Sequence, residues 1–187
     1  MAKMLKALRE LFDPVWDFYS MRYLKKSEAV VFILVPIIIG LLFIIIDLHF
    51  RTIRIFSLDE FVVDLSNQII TMLTLFISFS MAYLSIIITS SSKNIDGLKS
   101  TPSTKYKFKK NKEYCTLYQV LVSEITYTLV MEIVFLILVF FEKFIFYLCT
   151  DILLKYIVAI DIALLVHIFM VMMITVKDIY FSFWKSE

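Results

Sequence analysis

The chain reads as an all-α, polytopic membrane protein with four transmembrane helices and both termini in the cytoplasm. Three observations lead there. Of its 187 residues 60% are hydrophobic and 19% charged, with a mean hydropathy of +0.85, whereas a soluble domain sits nearer half apolar with about a quarter charged. The charges are clumped, leaving apolar runs at residues 29–47, 66–90, 115–141 and 152–176, each about as long as a ~30 Å hydrocarbon core requires. The basic residues, finally, are split unevenly between the two sides that these runs define.

That split sets the orientation. With the N-terminus inside, the cytoplasmic side carries Lys3, Lys6, Arg9, Arg22, Lys25 and Lys26, then Lys93, Lys99, Lys105, Lys107, Lys109, Lys110 and Lys112, and finally Lys177 and Lys185. Only Arg51, Arg54, Lys143 and Lys155 fall outside. The positive-inside rule therefore predicts cytoplasmic termini. The chain has only two Gly and three Pro, which favours continuous helices over the short, turn-rich strands of a barrel.

Residues 1–28 read as a cytoplasmic or interfacial amphipathic arm. In "AKMLKALRELF", Leu5, Leu8, Leu11 and Phe12 share one face and Lys3, Lys6 and Arg9 another; "DPVWDF" then offers Asp13 as N-cap and Pro14 at the first helical position. Such an arm either lies in the headgroup region or packs under the bundle. The first apolar run begins only after this arm, contains Pro36 and has no small-residue cleavage site behind it, so no signal peptide is expected.

The remaining residues, 29–187, form the predicted transmembrane domain. Its first span is polar-free between Glu28 and Asp47 and is expected to face lipid, with Pro36 and Gly40 permitting a bend. Ser57 followed by Glu60 is a capping box that starts the second helix near Ser57. Asn67, Thr71, Thr74, Ser78 and Ser85 recur at helical spacing along that helix, a stripe that reads as interhelical packing or as the wall of a pore. The connecting segment, 91–114, is polar and ends in "KYKFKKNK". Its lysines Lys105, Lys107, Lys109, Lys110 and Lys112 either hold the loop in the cytoplasm or bind anionic lipid headgroups or an acidic protein partner. Direct binding of nucleic acid is not expected. Cys115 and Cys149 fall at opposite faces, which excludes a disulfide between them under this topology.

Ionisable residues inside the last two spans are the candidate functional residues. Glu124, Thr128 and Glu132 lie on one face of the third span; the fourth carries Asp161 and His167. Depth in an antiparallel pair suggests Glu124 opposite His167 and Glu132 opposite Asp161, with Thr71 and Thr74 near the outer pair. Two carboxylates without a neighbouring cation cannot both stay ionised in a low dielectric, so at least one is expected to be protonated. Such residues mark proton or cation pathways or act as interhelical hydrogen-bonding groups. No Walker loop, dinucleotide fingerprint, HExxH, Gly-x-Ser-x-Gly or Cys-x-x-Cys is present. The chain reads as a non-enzyme without catalytic residues, metal or cofactor.

The layout resembles one family. A short four-span chain with both ends inside, a Lys-rich middle loop, a polar "NQIITMLTLFIS" second span and Lys used far more than Arg is similar to the membrane subunit of Kiwa, a bacterial anti-phage defence system. The resemblance implies a homo-oligomer, with a tetramer expected, in the bacterial inner membrane. It further implies detection of membrane disturbance and recruitment of a cytoplasmic effector subunit, and it assigns no individual residue. A small ion channel, or an accessory subunit of a larger membrane complex, are the competing classes.

Overall fold

The computed structural model describes residues 10–21, 26–50, 58–107, 113–146 and 151–184. Among the described residues six helices carry the fold: α1 (Asp13–Met21), α2 (Lys26–Phe50), α3 (Leu58–Thr89), α4 (Lys93–Ser100), α5 (Leu117–Ile145) and α6 (Asp151–Trp184). The all-helical expectation holds, with one addition inside the middle loop. There β1 (Pro102–Lys107) and β2 (Tyr114–Thr116) pair antiparallel as a two-stranded ribbon. Within α3 and α6, the segments Glu60–Thr89 and Leu153–Tyr180 are long and apolar enough to cross a membrane, and α2 contributes a shorter apolar stretch, Val30–Ile46.

Helix α5 is the centre of the bundle. It packs against α3 on one side and α6 on another, while α2 packs against α6. The main core joins Ile69 and Leu73 of α3, Phe135 and Val139 of α5 and Ile168 of α6. Phe76 of α3 meets Phe169 of α6 edge-on at 5.3 Å, and Phe43 of α2 stacks on Phe61 of α3 at 6.3 Å.

The start of α5 has a local cause that was legible in the sequence and not read there. Thr116 accepts a hydrogen bond from the Gln119 amide (3.2 Å), while the Gln119 side chain accepts from the Thr116 amide (2.9 Å). This reciprocal capping box satisfies two backbone donors at once. Helix α3 begins at Leu58, where the Ser57 capping reading places it; Ser57 itself, like most of the segment 2–12 and the whole of Cys149, lies outside the described residues.

Helix α2 is exposed over Val30, Val31, Ile33, Leu34, Ile37, Ile38, Leu41, Leu42, Ile45 and Ile46. Its other face is not. Phe32, Pro36 and Gly40 are buried, one turn apart, against His167, Ala163 and Ala159 of α6. A Cβ on Gly40 would lie 2.6 Å from the Ala159 carbonyl oxygen and 3.3 Å from the Ala163 Cβ. Gly40 therefore serves close backbone approach rather than bending, the small-residue contact by which membrane helices pack.

The middle loop folds against the ends of the long helices. Ser92 caps α4 by accepting from the Ile95 amide, and Ile95 and Leu98 pack on Leu121 of α5. Met21 of α1, Tyr106 of β1, Cys115 of β2 and Val120 of α5 form a second small core. The Tyr106 hydroxyl reaches Asp178 of α6 at 3.5 Å. These contacts turn what reads as a polar linker into a cap over one end of the bundle.

Candidate functional site

Proline has no backbone N–H, so Pro36 leaves the carbonyl of Phe32, one turn earlier, without its helical donor. His167 fills that gap: its Nδ1 lies 2.8 Å from the Phe32 oxygen. A carbonyl can only accept, which assigns the proton to Nδ1 and makes Nε2 the acceptor. The Tyr127 hydroxyl, 2.6 Å from Nε2, is then the donor. Having donated, it accepts from the Tyr19 hydroxyl at 3.2 Å. The polarity of the whole chain, Tyr19 to Tyr127 to His167 to Phe32, follows from one proline.

Phe18 holds this chain in register from below. It is fully buried, stacks on Tyr127 with ring centroids 3.9 Å apart and planes 10° from parallel, and packs with Val171. Tyr19 meets Tyr127 edge-on at 5.7 Å. Trp16, on the other face of α1, is 73% exposed, and Leu11, before the helix, 63%. Of the two readings of the N-terminal arm, the structure shows packing against the bundle, through Phe18 and Tyr19.

The acids are all buried, but their partners differ from those that depth suggested. Both nitrogens of His167 are occupied by Tyr127 and Phe32, so it does not pair with Glu124. Glu124 faces α3 instead, within electrostatic range of the half-buried Tyr83. Glu132 accepts from the Ser80 hydroxyl of α3 at 3.2 Å. Asp161 hydrogen-bonds Glu142, almost three helical turns beyond Glu132 along α5. The expected pairing assumed that the two spans meet centre to centre, whereas Asp161 sits beside Glu142, toward the C-terminal end of α5.

Glu142 and Asp161 bring two carboxyls together away from water, an arrangement that favours a shared proton. Glu124 and Glu132 have no exposed surface and Asp161 is 2% exposed. Among the described residues, the second oxygens of Glu132, Glu142 and Asp161 find no hydrogen-bond partner. Thr128 is buried on the same face, its hydroxyl donating back to the Glu124 carbonyl at 2.8 Å.

The stripe on α3 is not part of this core. Asn67, Thr71, Thr74 and Ser78 are exposed on the protomer, as is Ser85. Thr71 donates to the Asn67 carbonyl, Thr74 to Ile70 and Ser78 to Thr74, each at 2.8–2.9 Å. A hydroxyl satisfied by its own helix needs no partner on another. Asn67 alone reaches across, accepting from the Lys143 ammonium of α5 at 2.6 Å. The buried face of α3 is the opposite one, with Val62, Ser66, Ile69, Leu73, Ser80 and Ile87.

Of the five lysines marked for partner binding, Lys105 is exposed and Lys107 lies 4.0 Å above the Tyr114 ring; Lys109, Lys110 and Lys112 lie outside the described residues. Lys99, nearby, sits 5.2 Å over Tyr118. Among the described residues no three His, Cys, Asp or Glu side chains converge on a metal position. No protein-family model, characterised protein or solved structure matches the chain.

Chemically, the arrangement can hold a proton and cannot pass it through the joint at Pro36. A proton delivered along Tyr19 and Tyr127 can rest on the imidazole, after which the two hydroxyls reverse their donor direction. The Phe32 carbonyl beyond has no proton to hand on. Tyr19, Tyr127, Ser80 and Glu142 were not singled out from the sequence. Only the orphaned carbonyl had a sequence signal, a proline inside an apolar run.

Proposed function

We propose that this chain is a four-span protein of the bacterial inner membrane, with both termini cytoplasmic, that works as an oligomeric sensor and scaffold rather than as a conduit or an enzyme. Helices α2, α3, α5 and α6 are the spans. Helix α5 carries two of the acids, Glu124 and Glu132, and these are shielded from lipid by α3 and α6. The uneven distribution of Lys and Arg supports the orientation.

The observation that carries the reading is the sealing of the polar core within one protomer. Carboxyls that line a conduction path stay accessible to water, whereas Glu124, Glu132 and Asp161 are enclosed and the histidine chain ends on a carbonyl. A buried polar core with unpaired acceptors is a strained element whose hydration or protonation can change with the surrounding membrane. The exposed polar stripe of α3 supports assembly with further copies, a tetramer being the expected size.

The cap, with Lys99 and Lys105 outward, supplies a basic surface for anionic lipid or an acidic cytoplasmic effector. The placement in anti-phage defence comes from the resemblance in layout to the membrane subunit of Kiwa.

A second reading, a small channel, is favoured by one observation. Asn67, Thr71, Thr74 and Ser78 line an outward face of α3, and an oligomer closing around that face would enclose a polar path.

The orientation is tested by impermeant thiol labelling of single cysteines. Ser91→Cys, exposed just before α4, labels from the cytoplasmic side, and Asp64→Cys, exposed near the start of α3, from the other. Ser103 is unsuitable, being buried with its hydroxyl accepting from the amides of Lys105 and Tyr106. The reverse labelling pattern overturns the topology.

A further inference from the structure

We propose that α1 is a latched strap, fastened to the bundle by the Tyr19–Tyr127–His167–Phe32 chain and able to swing free when that chain breaks. The inference concerns the movement of α1 and does not depend on what the protein senses.

Three observations carry it. The contact is one-sided: α1 docks through Val15, Phe18, Tyr19 and Met21, while Trp16 remains exposed on its other face. The hydrogen-bond chain spans four elements in sequence, α1, α5, α6 and α2, so the hold on α1 and the hold of α6 on the proline joint of α2 share one imidazole. The hydroxyls also have one arrangement each. Tyr127 must donate to Nε2, because Nδ1 is committed to the carbonyl, and this leaves only its acceptor site for Tyr19.

The consequence is mechanical coupling. Pulling α1 away strips Phe18 from Tyr127, frees the Tyr127 hydroxyl to turn, and removes the donor that fixes His167 against Phe32. Loosening α2 from α6 at Pro36 acts in the reverse direction, since a histidine that leaves Phe32 no longer presents Nε2 to Tyr127. Coupling of this kind is reciprocal by thermodynamic necessity.

The chain carries its own reporter. Cys115 is fully buried and packs with Met21, the last residue of α1, together with Tyr106 and Val120. When α1 swings out, Met21 leaves and the thiol gains access to solvent.

The test is the rate of maleimide modification of Cys115 in the full-length protein, purified in mild detergent, in a Cys149→Ser background. Tyr127→Phe keeps the ring that stacks on Phe18 and removes only the hydroxyl, so labelling is expected to speed up roughly five- to tenfold, the effect of losing a hydrogen bond of ordinary net strength. Tyr19→Phe, at the end of the chain and only half-buried, is expected to speed it two- to threefold. Circular dichroism and size-exclusion profiles identify variants that have unfolded, and Tyr19→Phe keeps the test decisive if Tyr127→Phe does not fold. Labelling of the folded variants at the parent rate overturns the latch.

Discussion

His167 caps the backbone of another helix: its Nδ1 donates to the Phe32 carbonyl at 2.8 Å, the one acceptor that Pro36 strips of its helical donor. A proline inside a helix is tolerated where a neighbour re-satisfies the freed carbonyl, and here the neighbour is an ionisable side chain tied to the N-terminal arm through two tyrosines. The polar core is thus also the joint between α2 and the rest of the bundle.

Gly40 sets how close that joint can be. Gly40→Ala places a Cβ 2.6 Å from the Ala159 oxygen, forces α2 off α6, and is expected to destabilise the protein by about 1–3 kcal/mol. Gly97→Ala, where a Cβ meets nothing within 4 Å, is the matched control and is expected to be neutral or slightly stabilising. Thermal unfolding followed by intrinsic fluorescence in detergent checks both.

Glu132 is held by Ser80 across the α3–α5 interface. Glu132→Gln keeps a neutral, hydrogen-bonding side chain of the same shape and is expected to preserve helix packing and oligomer size by native mass spectrometry. Glu132→Leu leaves the buried Ser80 hydroxyl without that partner, at an expected cost of about 1–3 kcal/mol, and is expected to weaken assembly. Identical behaviour of the two variants means that the carboxyl has no structural role.

Asp17 of α1 gives a pH-dependent effect outside the spans. Partial burial, and then the neighbouring Asp13, push its carboxyl above the ordinary value of 3.8. A carboxyl with a raised value binds its proton more tightly in the folded state, so its contribution favours folding at low pH and is lost as pH rises through that raised value. Asp17→Asn is therefore expected to raise the thermal midpoint at pH 7 and to make no difference below pH 3.8. A lower midpoint for Asp17→Asn at pH 7 contradicts this.

The all-helical architecture was legible in composition, because long apolar runs with few Gly and Pro favour continuous helices. The packing was less so. Serine and threonine signal polarity without saying where it points: Thr71, Thr74 and Ser78 turn their hydroxyls onto their own helix and face outward, while Ser80, two residues on, faces the core. The pairing of Asp161 with Glu142 depends on how α6 crosses α5, which spacing within either helix does not encode. Ser92 and the Thr116–Gln119 box were readable signals of α4 and α5, and Pro36 announced an orphan carbonyl. Which side chain would meet that carbonyl required the fold.

The central claim is that the acids are sealed in the protomer and do not form a conduit. Flux through proteoliposomes containing a pH-sensitive or cation-sensitive dye, under an imposed gradient, tests it most directly. The account predicts that the reconstituted protein and its Glu132→Gln variant leak no faster than empty liposomes. A flux well above that background, abolished by Glu132→Gln, would contradict it and make the protein a channel.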